Sequence, residues 1–240
     1  MSYANKLMRD ITLTFPLRRL LLSSLLALAL PLARADTAED TIDFFRAAQM
    51  DNVGVVRAVL ARGLNPNLRN PDDGEPGLVV AMRYEANKVL DLLLAQPGID
   101  LEAKALNGNT ALMMAAFRQN KPAVLKLMAK GAQVNQPGWT ALHYAAAAGS
   151  TELVSLLLER HAYIDCESPS GMTPLMMAAR EGKEDVVKLL LEEGADATLK
   201  DGGFHLTAAE FATKTDKPWI AKIVESYQQS KRYKNDRPTK

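Results

Sequence analysis

The chain has 240 residues, 48% of them apolar and 24% charged, a composition that fits a folded globular protein and excludes a disordered one. Its formal net charge of +1 lacks the basic excess typical of nucleic-acid-binding proteins. Because Cys166 is the only cysteine, no intrachain disulfide can form, and disulfides give no information about the compartment.

The first 35 residues have the three parts of a secretory signal peptide. A basic stretch ends at Arg18-Arg19, an apolar run occupies 20–30, and Ala33 and Ala35 supply the small residues of a cleavage site. We predict cleavage after Ala35. Since five bases and one acid lie within 1–35, the remaining chain would have a net charge of −3.

Two alternatives concern this leader. Its apolar run is shorter than the ~20 residues of a spanning helix, which favours a cleaved signal over a retained membrane anchor. The Arg18-Arg19 pair resembles a twin-arginine export signal. However, Leu17 stands where Ser or Thr would precede such a pair, which favours the general secretory route. Met8 is an alternative start. The predicted location is the periplasm or the exterior, with no stable membrane anchor after cleavage.

Beyond the leader, one sequence motif recurs with a period near 33 residues. Its clearest copies are Thr140-Ala-Leu-His-Tyr-Ala-Ala146 and Thr173-Pro-Leu-Met-Met-Ala-Ala179, and the Thr-equivalent positions are 76, 110, 140, 173 and 207. A second marker, Gly-x-x-x-Asn or a variant, begins at 63, 98, 131, 161 and 194. The first marker precedes the second by 21 residues in three units, whereas the loop to the next unit varies from 9 to 13. Stacked helix pairs joined by adjustable loops have this pattern.

The residue types at these positions predict the helix boundaries. Threonine caps the first helix of a unit, Pro174 suits its first turn, and the following Leu and Ala pair form a narrow apolar face. Second helices are predicted to begin at prolines and to end at left-handed glycines, at Pro122, Pro218, Gly63, Gly131 and Gly194. His161 replaces that glycine in one unit, at a cost of about 1 kcal/mol.

This pattern resembles the ankyrin repeat, most clearly over 140–146 and 173–179. The resemblance implies an all-α solenoid of about six units, including atypical caps at both ends, with loop fingers between the units. It also implies a monomeric, non-catalytic protein that binds a protein partner, without nucleic acid, cofactor or metal. The predicted boundaries are 1–35 for the signal peptide, 36–229 for the ankyrin domain (units 40–72, 73–106, 107–136, 137–169, 170–202 and 203–229) and 230–240 for a disordered basic tail.

Side chains that could perform chemistry have structural interpretations. His143 occupies the family's histidine position, where it is expected to tie adjacent loops together by hydrogen bonds. Cys166 is expected to be a loop thiol with no catalytic base in place, able to form an intermolecular disulfide in an oxidising compartment. The pairs Met113-Met114 and Met176-Met177 suggest Cu(I) ligation, but packing is favoured, with one Met of each pair in the core and the other on the inner face. The basic tail could bind an acidic partner or a membrane surface.

The resemblance places partner binding at the finger tips and along the exposed groove of the first helices. Val80, Met114, Ala147 and Met177 are among the positions expected to be exposed there. Trp139 follows the shortened 9-residue loop, which predicts a gap in the row of fingers. Aromatic residues and arginine dominate binding energies at interfaces. The predicted partner-binding residues are Arg83, Tyr84, Phe117, Arg118, Trp139, Tyr144, Met172 and Arg180.

Three functions fit the sequence. The first is an exported, non-catalytic binding scaffold of the periplasm. The second is an exported accessory protein or inhibitor that modulates one periplasmic enzyme. The third, which the lack of a partnered nucleophile disfavours, is a hydrolase that uses Cys166.

Overall fold

The computed structural model describes residues 38–235, which form twelve α-helices arranged as six consecutive pairs, here called units 1 to 6. Within this range the only β-structure is an isolated bridge between Arg69 and Pro76, so the predicted all-α class is confirmed. The pairs are α1 (Ala38–Gln49) and α2 (Val53–Ala61), α3 (Gly77–Arg83) and α4 (Asn87–Leu94), α5 (Ala111–Phe117) and α6 (Lys121–Ala129), α7 (Ala141–Ala148) and α8 (Thr151–Glu159), α9 (Pro174–Glu181) and α10 (Glu184–Glu192), α11 (Ala208–Lys214) and α12 (Pro218–Asn235).

Threonine side chains begin most of the first helices, as predicted. The hydroxyl oxygen accepts a hydrogen bond from the backbone N–H three residues later at Thr110, Thr173 and Thr207. These bonds satisfy N–H groups that have no partner within the helix. In unit 2 the same position is Pro76, which has no such side-chain bond. We call positions 76, 110, 140, 173 and 207 the cap positions.

Left-handed residues end the helices at the repeat period. The expected conformation is present at Gly131 and Gly194, with φ of 101° and 100°, and at His161, with φ of 63°. The first helices also end this way, although no marker in the sequence predicts it. The left-handed residues after the first helices are Asp51, Glu85, Gln119, Gly149, Gly182 and Asp216.

One continuous hydrophobic core runs through all six units, from Phe44 to Val224. The paired alanines of the first helices, such as Ala145 and Ala146, are fully buried in it. Their small side chains let neighbouring first helices pack more closely than neighbouring second helices do. The first helices therefore form the inner side of the stack, and the fingers, which are the loops joining one unit to the next, lie at their amino-terminal ends.

The asparagine of the second marker links successive units. The side chain of Asn67 donates to the carbonyl of Gly98 at 2.8 Å and accepts from the N–H of Asp100 at 2.9 Å. Asn135 makes the same two bonds with the next loop, at 2.7 and 2.9 Å. Since an amide both donates and accepts, this residue satisfies two backbone groups of the following unit.

Asp165 makes only half of this link. Its carboxylate accepts from the N–H of Asp196 at 3.0 Å, but an ionised carboxylate has no hydrogen to donate to the neighbouring carbonyl. Burial raises the pKa of Asp165, and the negative charge of Asp196 raises it further. The junction between units 4 and 5 is therefore weaker than it would be with asparagine.

The last helix differs from the other second helices in length. Gln228 lies 21 residues after Thr207, where other units have a left-handed Gly or His, and α12 continues through this position to Asn235. The structure thus differs from the prediction of a disordered tail, because 230–235 are helical. The remaining tail, 236–240, and the predicted signal peptide, 1–35, lie outside the described residues.

Candidate binding surface

Three predicted anchors meet on the inner face between units 3 and 4. The rings of Phe117 and Tyr144 are 6.1 Å apart between centroids and nearly perpendicular, and those of Trp139 and Tyr144 are 6.2 Å apart. Phe117 ends α5, Tyr144 lies on α7, and Trp139 belongs to the finger between them. We call these three residues the aromatic cluster. Through Tyr144, residues from two successive units thus form one surface.

Neighbouring groups hold Tyr144 and Trp139 in place. The hydroxyl of Tyr144 donates to the side-chain oxygen of Asn109, and burial raises the pKa of the phenol. The indole of Trp139 stands edge-on to the ring of His143, at 5.2 Å. Phe117 is the most accessible member, with 47% of its surface exposed. Two fixed, half-buried rings beside one exposed ring form a preorganised apolar surface.

The predicted arginines lie on both sides of this cluster and differ in their partners. Arg83 makes a two-pronged contact with the buried carboxylate of Glu75, including an Nε–Oε2 bond of 3.0 Å. Arg118 approaches Glu85 only to 3.6 Å, and both side chains are largely exposed. Tyr84, also exposed, precedes Glu85 at the end of α3. Arg83 is therefore held in an ion pair within its own unit, whereas Arg118 is available to a partner.

Arg180 lies on the opposite side of the cluster from Arg118. Its Nε donates to Glu181 at 2.9 Å, and its Nη1 contacts the sulfur of Met172 at 3.7 Å. More than a third of the Arg180 side chain is exposed. A guanidinium in this position can reach a ligand by exchanging its exposed contact with Glu181.

Met172 was predicted to bind a partner beside the cap position, but the structure buries its side chain. The side chain is 6% exposed, and the equivalent residues Glu75 and Asn109 are also buried. The finger folds over the start of the helix, where the carbonyl of Met172 accepts from the imidazole of His143 at 2.8 Å. Met172 therefore supports Arg180 from below and does not face a partner.

The inner-face positions four residues after the cap were also predicted to be more exposed than they are. Val80, Met114 and Met177 are buried, because the next first helix covers them, whereas Tyr144 at the same position is half-buried and reaches the surface. Both members of each methionine pair are thus core residues. The accessible side chains of the inner face instead form a row with one member per unit, seven residues after each cap position.

That row contains one small residue. Its members are Arg83, Phe117, Ala147, Arg180 and Lys214 in units 2 to 6. Ala147 was predicted to be exposed but was given no binding role, since a methyl group has little chemistry of its own. The sequence feature that could have indicated a binding role is side-chain size. Ala147 is much smaller than the residues on either side of it in the row, and this difference leaves a gap above Ala147.

The finger before unit 4 is short and lacks a hydrogen bond present in the others. In the other fingers, the carbonyl of the residue before the cap accepts from a backbone N–H of the same finger. The three-residue deletion removes that donor, and within residues 38–235 no backbone N–H binds the carbonyl of Trp139. The sequence prediction of an irregular finger at Trp139 has this structural basis.

His143 ties unit 4 to unit 5, as predicted. Its Nε2–H donates to the carbonyl of Met172, so Nδ1 is unprotonated and accepts from the N–H of Thr140 at 3.2 Å. The ring is fully buried, and burial lowers its pKa to about 4. Protonation would place an N–H at Nδ1 against the N–H of Thr140.

Cys166 lies closer to a histidine than the sequence indicated. Its sulfur is 3.3 Å from the hydroxyl of Thr140 and 3.7 Å from Nδ1 of His143, although 23 residues separate it from His143. Burial raises the pKa of the thiol to about 11. A nucleophilic Cys–His pair requires the opposite shifts, a lowered thiol pKa beside an imidazolium. At neutral pH this pair is a thiol and a neutral imidazole.

Two kinds of feature are absent from the described part of the chain. Between residues 38 and 235, no three His, Cys, Asp or Glu side chains are grouped so that they could bind a metal ion. In the same range, none of the helices combines the length and the apolar character required to span a bilayer.

The stacked helix pairs, the capped first helices and the fingers define a helical-repeat protein. A family model described as "Ankyrin repeats (3 copies)" matches residues 44–137 and 120–201, so the chain belongs to the ankyrin-repeat family. Ankyrin repeats generally mediate protein–protein interactions, and the family is generally non-catalytic.

Curated relatives share these repeats. The chain is 36% identical over 123 residues to "Transient receptor potential cation channel subfamily A member 1" of Homo sapiens, covering 49% of this chain and 11% of the relative. It is 32% identical over 120 residues to "SH3 and multiple ankyrin repeat domains protein 2" of Homo sapiens, covering 48% and 6%. It is 38% identical over 85 residues to "Protein fem-1 homolog A-like" of Mus musculus, covering 34% and 13%. The matched part is thus a small fraction of each relative's length.

Proposed function

We propose that this protein is an exported, non-catalytic binding protein that captures a protein partner on the aromatic cluster of its inner face. The observation that supports this most strongly is the meeting of Phe117, Trp139 and Tyr144 across two units. Aromatic side chains provide large contact areas with few rotatable bonds, and they are enriched among residues that dominate binding energy.

The proposed site of action is the periplasm or the exterior. The basic stretch, the apolar run of 20–30 and the small residues at Ala33 and Ala35 support export through a cleaved signal peptide. Mass measurement of the exported protein tests this part separately. A mature chain beginning at Asp36 is the expected result, and an intact leader would contradict it.

Photo-crosslinking tests the binding surface. We would replace Phe117 with benzoylphenylalanine, which keeps an aromatic ring at this exposed position, and irradiate cells that express the protein. The matched control carries the same group at Arg160, an exposed residue that ends α8 on the outer side of unit 4. We expect a protein adduct from position 117 that is absent from position 160. Equal adducts from both positions, or none from position 117, would refute the assignment.

A further inference from the structure

The row of exposed side chains on the inner face is interrupted at unit 4. Phe117 borders the gap above Ala147 on one side, and Arg180 borders it on the other. The first helices that carry these three residues are packed neighbours. Ala147 is half-buried, so the space between the two larger side chains has an apolar floor and one aromatic wall.

Two arginines in the units on either side of the gap, Arg118 in unit 3 and Arg180 in unit 5, lack strong partners. Arg118 is 3.6 Å from Glu85, and Arg180 pairs with Glu181, the next residue along the chain. All four side chains are more than a third exposed. Exposed pairs of this kind contribute little to stability, so either arginine can exchange its own partner for a ligand carboxylate.

The charge of this row has the opposite sign to that of the rest of the chain. No acidic side chain occupies the row seven residues after the cap, which contains two arginines and one lysine. Residues 36–240 together have a net charge of −3, since 24 bases and 27 acids remain after 1–35 are set aside. Glu75, Glu85 and Glu181 offset part of this positive charge, but an acidic ligand that replaces Glu85 and Glu181 on their arginines is favoured here over the rest of the chain.

The spacing of these groups indicates the length of the ligand. Packed helices lie ~9 Å apart, so units 3 and 5 are separated by roughly 18 Å. An extended chain covers ~3.3 Å per residue, which means that five or six residues reach from Arg118 to Arg180. A side chain near the middle of such a segment lies over Ala147.

We propose that the gap binds an extended acidic segment of a protein, with one aliphatic side chain over Ala147 and a carboxylate on each of Arg118 and Arg180. This inference rests on the proposed function and specifies the chemistry of the partner. A single-stranded nucleic acid also combines anionic groups with flat bases, but the apolar floor and the small width of the gap favour an aliphatic side chain.

A peptide-display selection tests this proposal. A library of random 12-residue peptides is selected on the full chain, and the enriched peptides are then measured by fluorescence anisotropy at low and physiological salt. Ala147→Gln fills the gap with a good helix-forming residue at a half-exposed site. The double variant Arg118→Gln/Arg180→Gln removes both charges, and Arg160→Gln on the outer side is its matched control.

The expected peptides have two acidic residues about five positions apart with an aliphatic residue between them. Their affinity should fall at least about tenfold in Ala147→Gln and in the double arginine variant, should fall with added salt, and should be unchanged in Arg160→Gln. Enriched peptides without this acidic pattern, or indifferent to the arginines, would overturn the proposal. The proposal would also be overturned if an oligo-dT probe bound more tightly than the peptides. The same holds if no enriched peptide preferred the wild-type chain to the Ala147→Gln variant. If the adduct from position 117 nevertheless forms, the proposed function survives while this inference fails.

Discussion

Replacing His161 with glycine should stabilise the protein, because His161 has a left-handed backbone conformation that disfavours residues with a Cβ atom. Its φ is 63°, whereas the equivalent positions in the adjoining units are glycines with φ near 100°. The imidazole is exposed, and the backbone carbonyl keeps the hydrogen bond from Asn135 whatever the side chain is. The substitution thus removes strain without removing that inter-unit bond.

The expected gain in the free energy of unfolding can be bounded from the backbone conformation alone. The left-handed conformation costs an ordinary residue ~1–2 kcal/mol, and the greater freedom of glycine in the unfolded chain returns ~0.5–1 kcal/mol of that. A net gain of roughly 0.5–1 kcal/mol corresponds to a rise of about 1–4 °C in a domain of this size. Urea unfolding followed by circular dichroism, together with calorimetry, would measure it.

The reciprocal control is Gly131→Ala. A Cβ atom at Gly131 would meet no heavy atom within 4 Å, so any loss of stability there comes from conformation and not from a clash. We expect a loss of about 1 kcal/mol. A destabilised His161→Gly variant, or a neutral Gly131→Ala variant, would show that the left-handed conformation does not limit stability in these loops.

Three other predictions follow from the same contacts. Asp165→Asn should raise the free energy of unfolding by about 1 kcal/mol in urea titrations, because the amide can also donate to the next loop as Asn67 does; no gain would mean that this link is not the limiting one. The pKa of His143 is about 4 in the folded state against 6.5 in the unfolded state, so the unfolded chain binds the proton first and stability is lost as pH falls from 6.5 to 4. The loss should approach about 3 kcal/mol, and His143→Gln should lose less over the same range; equal slopes would refute the buried neutral imidazole. Cys166, with a pKa of about 11, should react with iodoacetamide at pH 8 about 100-fold more slowly in the folded than in the urea-unfolded protein, and equal rates would contradict its burial.

The repeat and its helix boundaries were predictable from the sequence because they depend on local chemistry. Threonine caps, prolines in first turns and left-handed residues at helix ends act through the backbone of their own segment. The role of His143 could be predicted by family resemblance, since its position within the repeat determines which loop it reaches. Predicting these features does not require knowing how the neighbouring units pack against them.

Exposure on the inner face was harder to predict, because it depends on neighbouring units. Met172, Met114 and Met177 were expected to face a partner, yet a folded finger or the adjacent helix covers each of them. The approach of Cys166 to His143 likewise joins residues from successive units. The sequence identified the three aromatic residues one by one, and only the packing of α5 against α7 shows that they touch.

The central claim is that the aromatic cluster binds a protein partner, and the affinity of the Phe117→Ala variant tests it most directly. Once photo-crosslinking has identified the partner, both purified proteins can be titrated by calorimetry, with Arg160→Ala as the outer-side control. Phe117 is half exposed, so its loss should leave the unfolding midpoint within a few degrees of wild type. We predict that affinity falls at least about tenfold in Phe117→Ala, which is about 1.4 kcal/mol, and is unchanged in Arg160→Ala. Equal affinities of wild type and Phe117→Ala would contradict the claim.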